Sequence, residues 1–129
     1  MKITHQWLTF IAIVFLIFLN NCSSSVSEND MKKDLIGKEI YYFGPGHVSM
    51  TWTFAEGEID EFKIIKRLTD SKKGTDIIEV YIKACDKKAK DKATISGTLT
   101  LNYNKYDQGW IFQGISNTDF ETIWVDPRK

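Results

Sequence analysis

The chain has 129 residues, 43% of them hydrophobic and 26% charged, which is enough for one domain and too apolar for wholesale disorder. Lys plus Arg number 17 and Asp plus Glu number 17; a nucleic-acid binder needs a positive excess to displace counterions, so that class is set aside. Two cysteines and two histidines leave almost nothing for a zinc site of three or four protein ligands, and neither a metal nor another cofactor is expected.

The first segment reads as a targeting signal. Lys2 is the one formal charge in residues 1–21, and Trp7–Leu19 is a 13-residue run that is apolar except for Thr9. A membrane-spanning helix needs about 20 such residues to cross roughly 30 Å of hydrocarbon, whereas 13 suits the middle of a secretory signal peptide. Asn20, Asn21 and Cys22 follow, then a serine tract from Ser23, with no small-x-small cleavage site before it. Leu19-Asn20-Asn21-Cys22 resembles the lipobox of bacterial lipoproteins, with Leu at minus three and the cysteine to be acylated at plus one. Asn20 and Asn21 stand where small residues are usual, as in the relaxed lipoboxes of spirochaetes.

That resemblance implies removal of residues 1–21, lipidation of Cys22, and attachment to membrane through acyl chains at the bacterial cell envelope. Ser23 points to the outer membrane under the sorting rules of enterobacterial lipoproteins. The competing readings are an unlipidated signal peptide, or an uncleaved anchor with an incidental cysteine. One acyl chain binds a membrane reversibly, whereas several hold firmly. Residues 22–29 then form the lipidated cysteine and a flexible tether, and 30–129 a single globular domain. Without Lys2 the mature chain carries 16 basic and 17 acidic residues. With Cys22 acylated, Cys85 has no disulfide partner within the chain, and the core must supply stability.

From Met31 to Lys129 there are 12 Ile and 3 Val against 4 Leu, with nine Thr, a β-branched excess that favours sheet. One helix is expected first, over 28–36: Ser27 caps it, acids fill the first turn, and Gly37 offers a left-handed stop. After the Gly44-Pro45-Gly46 turn, Thr51–Phe54 alternates with Trp52 and Phe54 on one side. Ile59–Leu68 follows with Phe62, Ile64 and Leu68 on one face, then a turn over 69–74. Asp76–Cys85 carries Ile78, Val80 and Ile82 on one face, and 86–92 is a solvated loop. In Ala93–Asn104, Ile95, Leu99, Leu101 and Tyr103 face in, while Thr94, Ser96, Thr98, Thr100 and Asn102 face out. Asp107-Gln108-Gly109 turns the chain into Trp110–Ile115, and a last strand is expected over Phe120–Val125.

The expected fold is α+β, one short N-terminal helix packed on a five- to six-stranded antiparallel sheet; an all-β sandwich or small open barrel is the alternative. Tyr103-Asn104-Lys105-Tyr106 followed by Gly109-Trp110 resembles the last hairpin of small cystatin-like or NTF2-like domains. That resemblance carries no catalytic residues.

Little in the mature chain points to chemistry. Cys85 and His47 are its one thiol–imidazole pair, and the ordinary reading is a semi-buried cysteine and a loop histidine. Glu56, Glu58, Asp60 and Glu61 cluster, and Asp119 and Glu121 pair, as solvated strand faces routinely do; no calcium-loop pattern surrounds them. Lys63, Lys66, Arg67, Lys72 and Lys73 form one basic stretch and Lys83–Lys92 another. Their loops flank one strand and leave the sheet at opposite ends, which argues against one phosphate track.

The aromatics carry the functional expectation. Tyr41, Tyr42 and Phe43 precede a glycine-rich loop, and with Trp52 and Trp110 they are the candidate ligand or partner surface; core is the competing role for each. The leading expectation is a non-enzymatic, membrane-anchored binding module outside the cytoplasm, with a protein or envelope component as partner. A small-ligand carrier with a pocket lined by Tyr42, Trp52 and Trp110 ranks second, and a small hydrolase or isomerase third. Oligomeric state is left open by an exposed edge strand or a Tyr-rich face.

Overall fold

The computed structural model describes residues 25–88 and 93–123. The expected signal peptide and Cys22 lie outside these residues. Helix α1 spans Glu28–Leu35, and the Ser27 hydroxyl accepts from the Asp30 N–H at 3.2 Å. Glu28 and Asp30 complement the positive helix end, and Lys32 and Lys33 the last turn. Ile36 leaves the helix and Gly37 takes φ 79°, a left-handed value that glycine adopts without a Cβ penalty. Met31 and Leu35 are wholly buried.

Two antiparallel sheets follow. Strands β1 (Glu39–Phe43) and β2 (Ser49–Thr53) form a hairpin around a short 3-10 turn at Pro45–His47. Strands β3 (Ile59–Asp70), β4 (Thr75–Cys85), β5 (Thr94–Tyr106) and β6 (Gly109–Ile123) form a four-stranded meander in that order. The structure therefore replaces the single five- to six-stranded sheet with a two-stranded and a four-stranded one. Strand β1 was not among the expected strands. Its apolar residues lie on both faces, with Ile40 and Tyr42 buried and Tyr41 and Phe43 exposed, so no polar alternation marks it.

The two strands expected over 110–115 and 120–125 are one continuous β6 through Ile123, and the end of the second lies outside the described residues. Gly114 at φ 152° and Asn117 at φ 52° are part of the strand, which has register shifts near Gln113 and opposite Leu99. Bulges let a strand bend without ending. A third irregularity, between Ile64 and Lys66, corrects the face of Leu68. Phe62 and Ile64 oppose Ile82 and Val80 on the inner face, but Leu68 opposes Ile77 and is 56% exposed. One extra residue reverses the parity of everything after it. Thr94 keeps the outward parity expected of it, opposite to Ile95, yet is buried between Cys85 and Ile123 at the sheet end.

The inner face of the meander is the core. Ile78, Val80, Ile82 and Ala84 from β4 join Ile95, Leu99, Leu101 and Tyr103 from β5. Met31 and Leu35 of α1, Ile40 and Tyr42 of β1, Phe54 and Phe120 close over them. Each fully buried aliphatic side chain contributes about 1.5–3 kcal/mol. At Gly97 the β6 main chain passes over this face: a Cβ there would collide with the Asp119 carbonyl oxygen and lie 2.6 Å from the Phe120 Cα.

The two ends of the meander differ. The β3–β4 and β5–β6 turns share one end, joined where the Lys105 N–H donates to the Gly74 carbonyl at 2.8 Å. Val26 is fixed at this end, because it bonds to Arg67 and Asp76. Strand β1 instead advances along β6 towards the other end: the Tyr41 carbonyl accepts from Thr118 at 3.0 Å, and Tyr42 reaches Phe120 and Thr122. The β1–β2 turn thus lies at the pole opposite to the one where the N-terminal segment enters.

Candidate functional site

The five aromatic candidates separate. Tyr41 and Phe43 occupy the outer face of the hairpin, paired with Thr51 and Ser49, at 65% and 69% exposure. Val48, just beyond the turn, is also exposed. Tyr42 and Trp52 alternate to the other face, where Tyr42 is buried and Trp52 packs half-buried against the core. Trp110 starts β6 at the opposite pole, paired with Lys105. Tyr42 and Trp110 thus lie towards opposite poles, and the cleft beside Trp110 is lined by neither Tyr42 nor Trp52.

The tip that carries Phe43 and Val48 is built by the backbone. The Gly44 N–H donates to the Val48 carbonyl at 2.8 Å, and Gly46 and His47 take φ 74° and 58°. Gly44 packs so closely that a Cβ would strike the Met50 sulfur. A tip held in this way presents its apolar side chains at low ordering cost. The Tyr41 phenol is held above its ordinary pKa by its hydrogen bond to the Glu39 carboxylate and by that carboxylate's charge.

A cleft of about 580 Å³ opens between α1 and the β5–β6 hairpin, with Asp30, Lys33 and Asp34 on one side and Tyr103, Lys105 and Trp110 on the other. The Tyr103 hydroxyl donates to the Asp34 carboxylate at 2.9 Å. Burial first, and then that bond, raise the Tyr103 pKa well above the ordinary phenol value. A phenol held neutral and already donating its proton to a carboxylate is poorly suited to act as a base. Phe112 packs edge-on against Tyr103 at 5.4 Å, and the Lys105 ammonium lies 5.6 Å from the centre of the Trp110 ring. The indole N–H groups of Trp110 and Trp52 are buried without an acceptor among the described residues, an arrangement that costs about 1–3 kcal/mol per group.

The remaining polar candidates fill structural positions. His47 lies in the exposed hairpin turn, whereas Cys85 ends β4, its N–H donating to the Glu58 carbonyl. No hydrogen bond joins the two side chains among the described residues. Glu58 is buried and accepts from the Ala55 N–H at 3.0 Å, closing the β2–β3 connection, while Asp60 pairs with Lys87 at 3.0 Å and Glu61 with Lys63 at 3.8 Å. Asp119 and Glu121 are exposed on β6. No group of three or more His, Cys, Asp or Glu able to hold a metal occurs among the described residues.

No family model, curated protein or solved structure matches this chain.

One cluster was not foreseen. Asp76 is fully buried at the start of β4, and Arg67 reaches it from β3 through Nε at 3.2 and 3.1 Å and Nη2 at 2.7 Å. Thr69 donates to Asp76 at 3.0 Å, and Arg67 Nη2 also donates to the Val26 carbonyl at 2.6 Å. The Val26 N–H returns to Asp76 at 3.5 Å. Arg67, part of a basic stretch in the sequence, thus spends its charge inside the fold. The signal was the parity of Asp76, an acid on the same alternate face as Ile78, Val80 and Ile82. Of the tether expected over 22–29, residues 22–24 lie outside the described residues, while Val26 is buried and Ser27 caps α1.

Proposed function

We propose that the chain is a lipid-anchored lipoprotein of the bacterial envelope, and that its small domain is a non-enzymatic binding module outside the cytoplasm. The anchor is Cys22 after the short apolar leader. The contact surface is the β1–β2 tip, and the observation that carries it is the exposure of Tyr41 and Phe43 beside Val48. Aromatic side chains are enriched at interface cores because they bury large areas with few rotamers to freeze. In this reading the domain is α+β, its helix lying on the inner face of the meander. The tip faces away from the pole where the anchor segment joins, an arrangement suited to display.

The test is photo-crosslinking in the native envelope with the reactive residue at position 43 and, as control, at position 63 on β3. A discrete partner, protein or envelope polymer, captured from 43 and lost in Tyr41→Ser supports the reading. Equal capture from both positions, or none from 43, rejects it.

Small-ligand carriage is the second reading, favoured by the cleft beside Trp110, whose volume falls in the range of ligand pockets. Native mass spectrometry of protein purified from its own membranes decides it: a stoichiometric small molecule supports carriage, and bare protein rejects it.

A further inference from the structure

We infer that the pole opposite the aromatic tip rests on the bilayer, so that the β3–β4 and β5–β6 turns form a membrane-contact surface for anionic lipid headgroups. The inference rests on the lipidation of Cys22 proposed above and adds an orientation to it.

The reach of the anchor comes first. Val26 is clamped to Arg67 and Asp76, and Ser25 lines the cleft beside the β5–β6 turn. Only Ser23 and Ser24 separate Ser25 from Cys22, and an extended chain spans at most about 3.6 Å per residue. An acylated Cys22 therefore holds this pole within about 11 Å of the headgroups. The clamp matters because a loose Val26 would lengthen the leash and let the domain tumble.

The chemistry of the pole fits that neighbour. The outer face of the meander ends here in Leu68 and Ile77, directly paired, with Ile111 and Tyr106 further across the same face. All four are exposed, at 56%, 41%, 43% and 49%. Beside them Lys66, opposite Glu79 on the same face, and Lys72 and Lys73 in the β3–β4 turn are exposed, against Asp70 and Asp107, while Lys105 lies at the same pole on the other face, over Trp110. Asp70 is engaged, accepting from the main-chain N–H groups of Lys72 and Lys73 at 3.0 Å each. Large aliphatic side chains, a tyrosine and lysines together are the composition of surfaces that lie in the headgroup layer. At that reach the lysines stand at about one Debye length from anionic lipid, roughly 8–10 Å, where their attraction is only partly screened.

The experiment uses the full chain purified from bacterial membranes and reconstituted in vesicles with either phosphatidylglycerol or phosphatidylcholine alone. In a Cys85→Ser background, Ser71→Cys and Ser49→Cys each carry one fluorophore, at the base and near the tip. Lipids bearing a quencher at headgroup depth report proximity. The expected result is strong quenching at 71 and little at 49, greater with phosphatidylglycerol. Lys72→Glu with Lys73→Glu should weaken the preference for the anionic vesicles by at least about fivefold per lysine. Equal quenching at both positions in protein that floats with the vesicles overturns the orientation while leaving the anchor intact. Protein that does not float, with an unmodified Cys22 by mass, overturns both.

Discussion

Arg67 and Asp76 meet at 2.7 Å across β3 and β4, and between them they hold both main-chain polar groups of Val26. The pair closes the core at one pole and fixes where the N-terminal segment enters the fold. The Asp76 side chain is fully buried and that of Arg67 is 25% exposed, so the carboxylate depends on the guanidinium to offset its lost hydration.

Arg67→Ala should destabilise the domain by about 3–5 kcal/mol, because it strands a buried carboxylate. Replacing both residues, as Arg67→Met with Asp76→Leu, should cost less than the single change. Urea unfolding of the wild type and these two variants measures this. Amide exchange at Val26 should also accelerate in Arg67→Ala, and protection as in the wild type would show that the clamp does not hold the segment.

Gly97→Ala should cost at least about 1–3 kcal/mol, the usual range for overpacking. The new methyl meets main chain at Asp119 and Phe120, which cannot rotate away as a flexible side chain would. Thermal unfolding should show the loss, and the Phe120–Tyr42 contact, 6.5 Å between ring centres, should loosen in the variant.

Tyr103 gives the fold an alkaline limit. Its pKa is raised in the folded state by burial and by Asp34, so the neutral phenol is favoured there. The associated stability is complete below the unfolded value of about 10 and is lost as pH rises from there towards the higher folded value. Of the five tyrosines, Tyr103 should ionise only as the chain unfolds, which absorbance of tyrosinate against pH will show. Tyr103→Phe should lose about 1 kcal/mol at neutral pH with the hydrogen bond to Asp34 and decline less steeply above about pH 10.

Tyr41→Ser and Phe43→Ser should change stability by less than about 0.5 kcal/mol each, as exposed positions do. Tyr42→Ser, one residue away and buried, should cost several times more, since a large buried aromatic truncated to a small side chain loses about 3–5 kcal/mol. Denaturation of the three variants side by side separates surface from core in a run that looks uniform in sequence.

The parts of the fold legible in sequence were those where local signals agreed. Ser27, the acids of the first turn and Gly37 delimit α1 to within a residue, and strict alternation in β4 and β5 assigns the core faces. Elsewhere the signal was overridden. Tyr41, Tyr42 and Phe43 have one chemical character, so periodicity could not divide them between solvent and core; only pairing with Thr51, Met50 and Ser49 does that. The break expected after Ile115 is spanned by a continuous β6 that takes up Gly114 and Asn117 as irregularities, and the extra residue at Ile65 turns Leu68 outward. The clamp of Arg67 on Asp76 joins residues nine apart through a hairpin register that no composition reveals.

The most direct test of the lipid-anchored reading is the intact mass of the protein extracted from its native membranes. The expected mass is that of residues 22–129 plus a diacylglyceryl group, with or without an N-acyl chain. A mass equal to the unmodified mature chain or to all 129 residues would contradict it, and would leave Cys22 free to pair with Cys85.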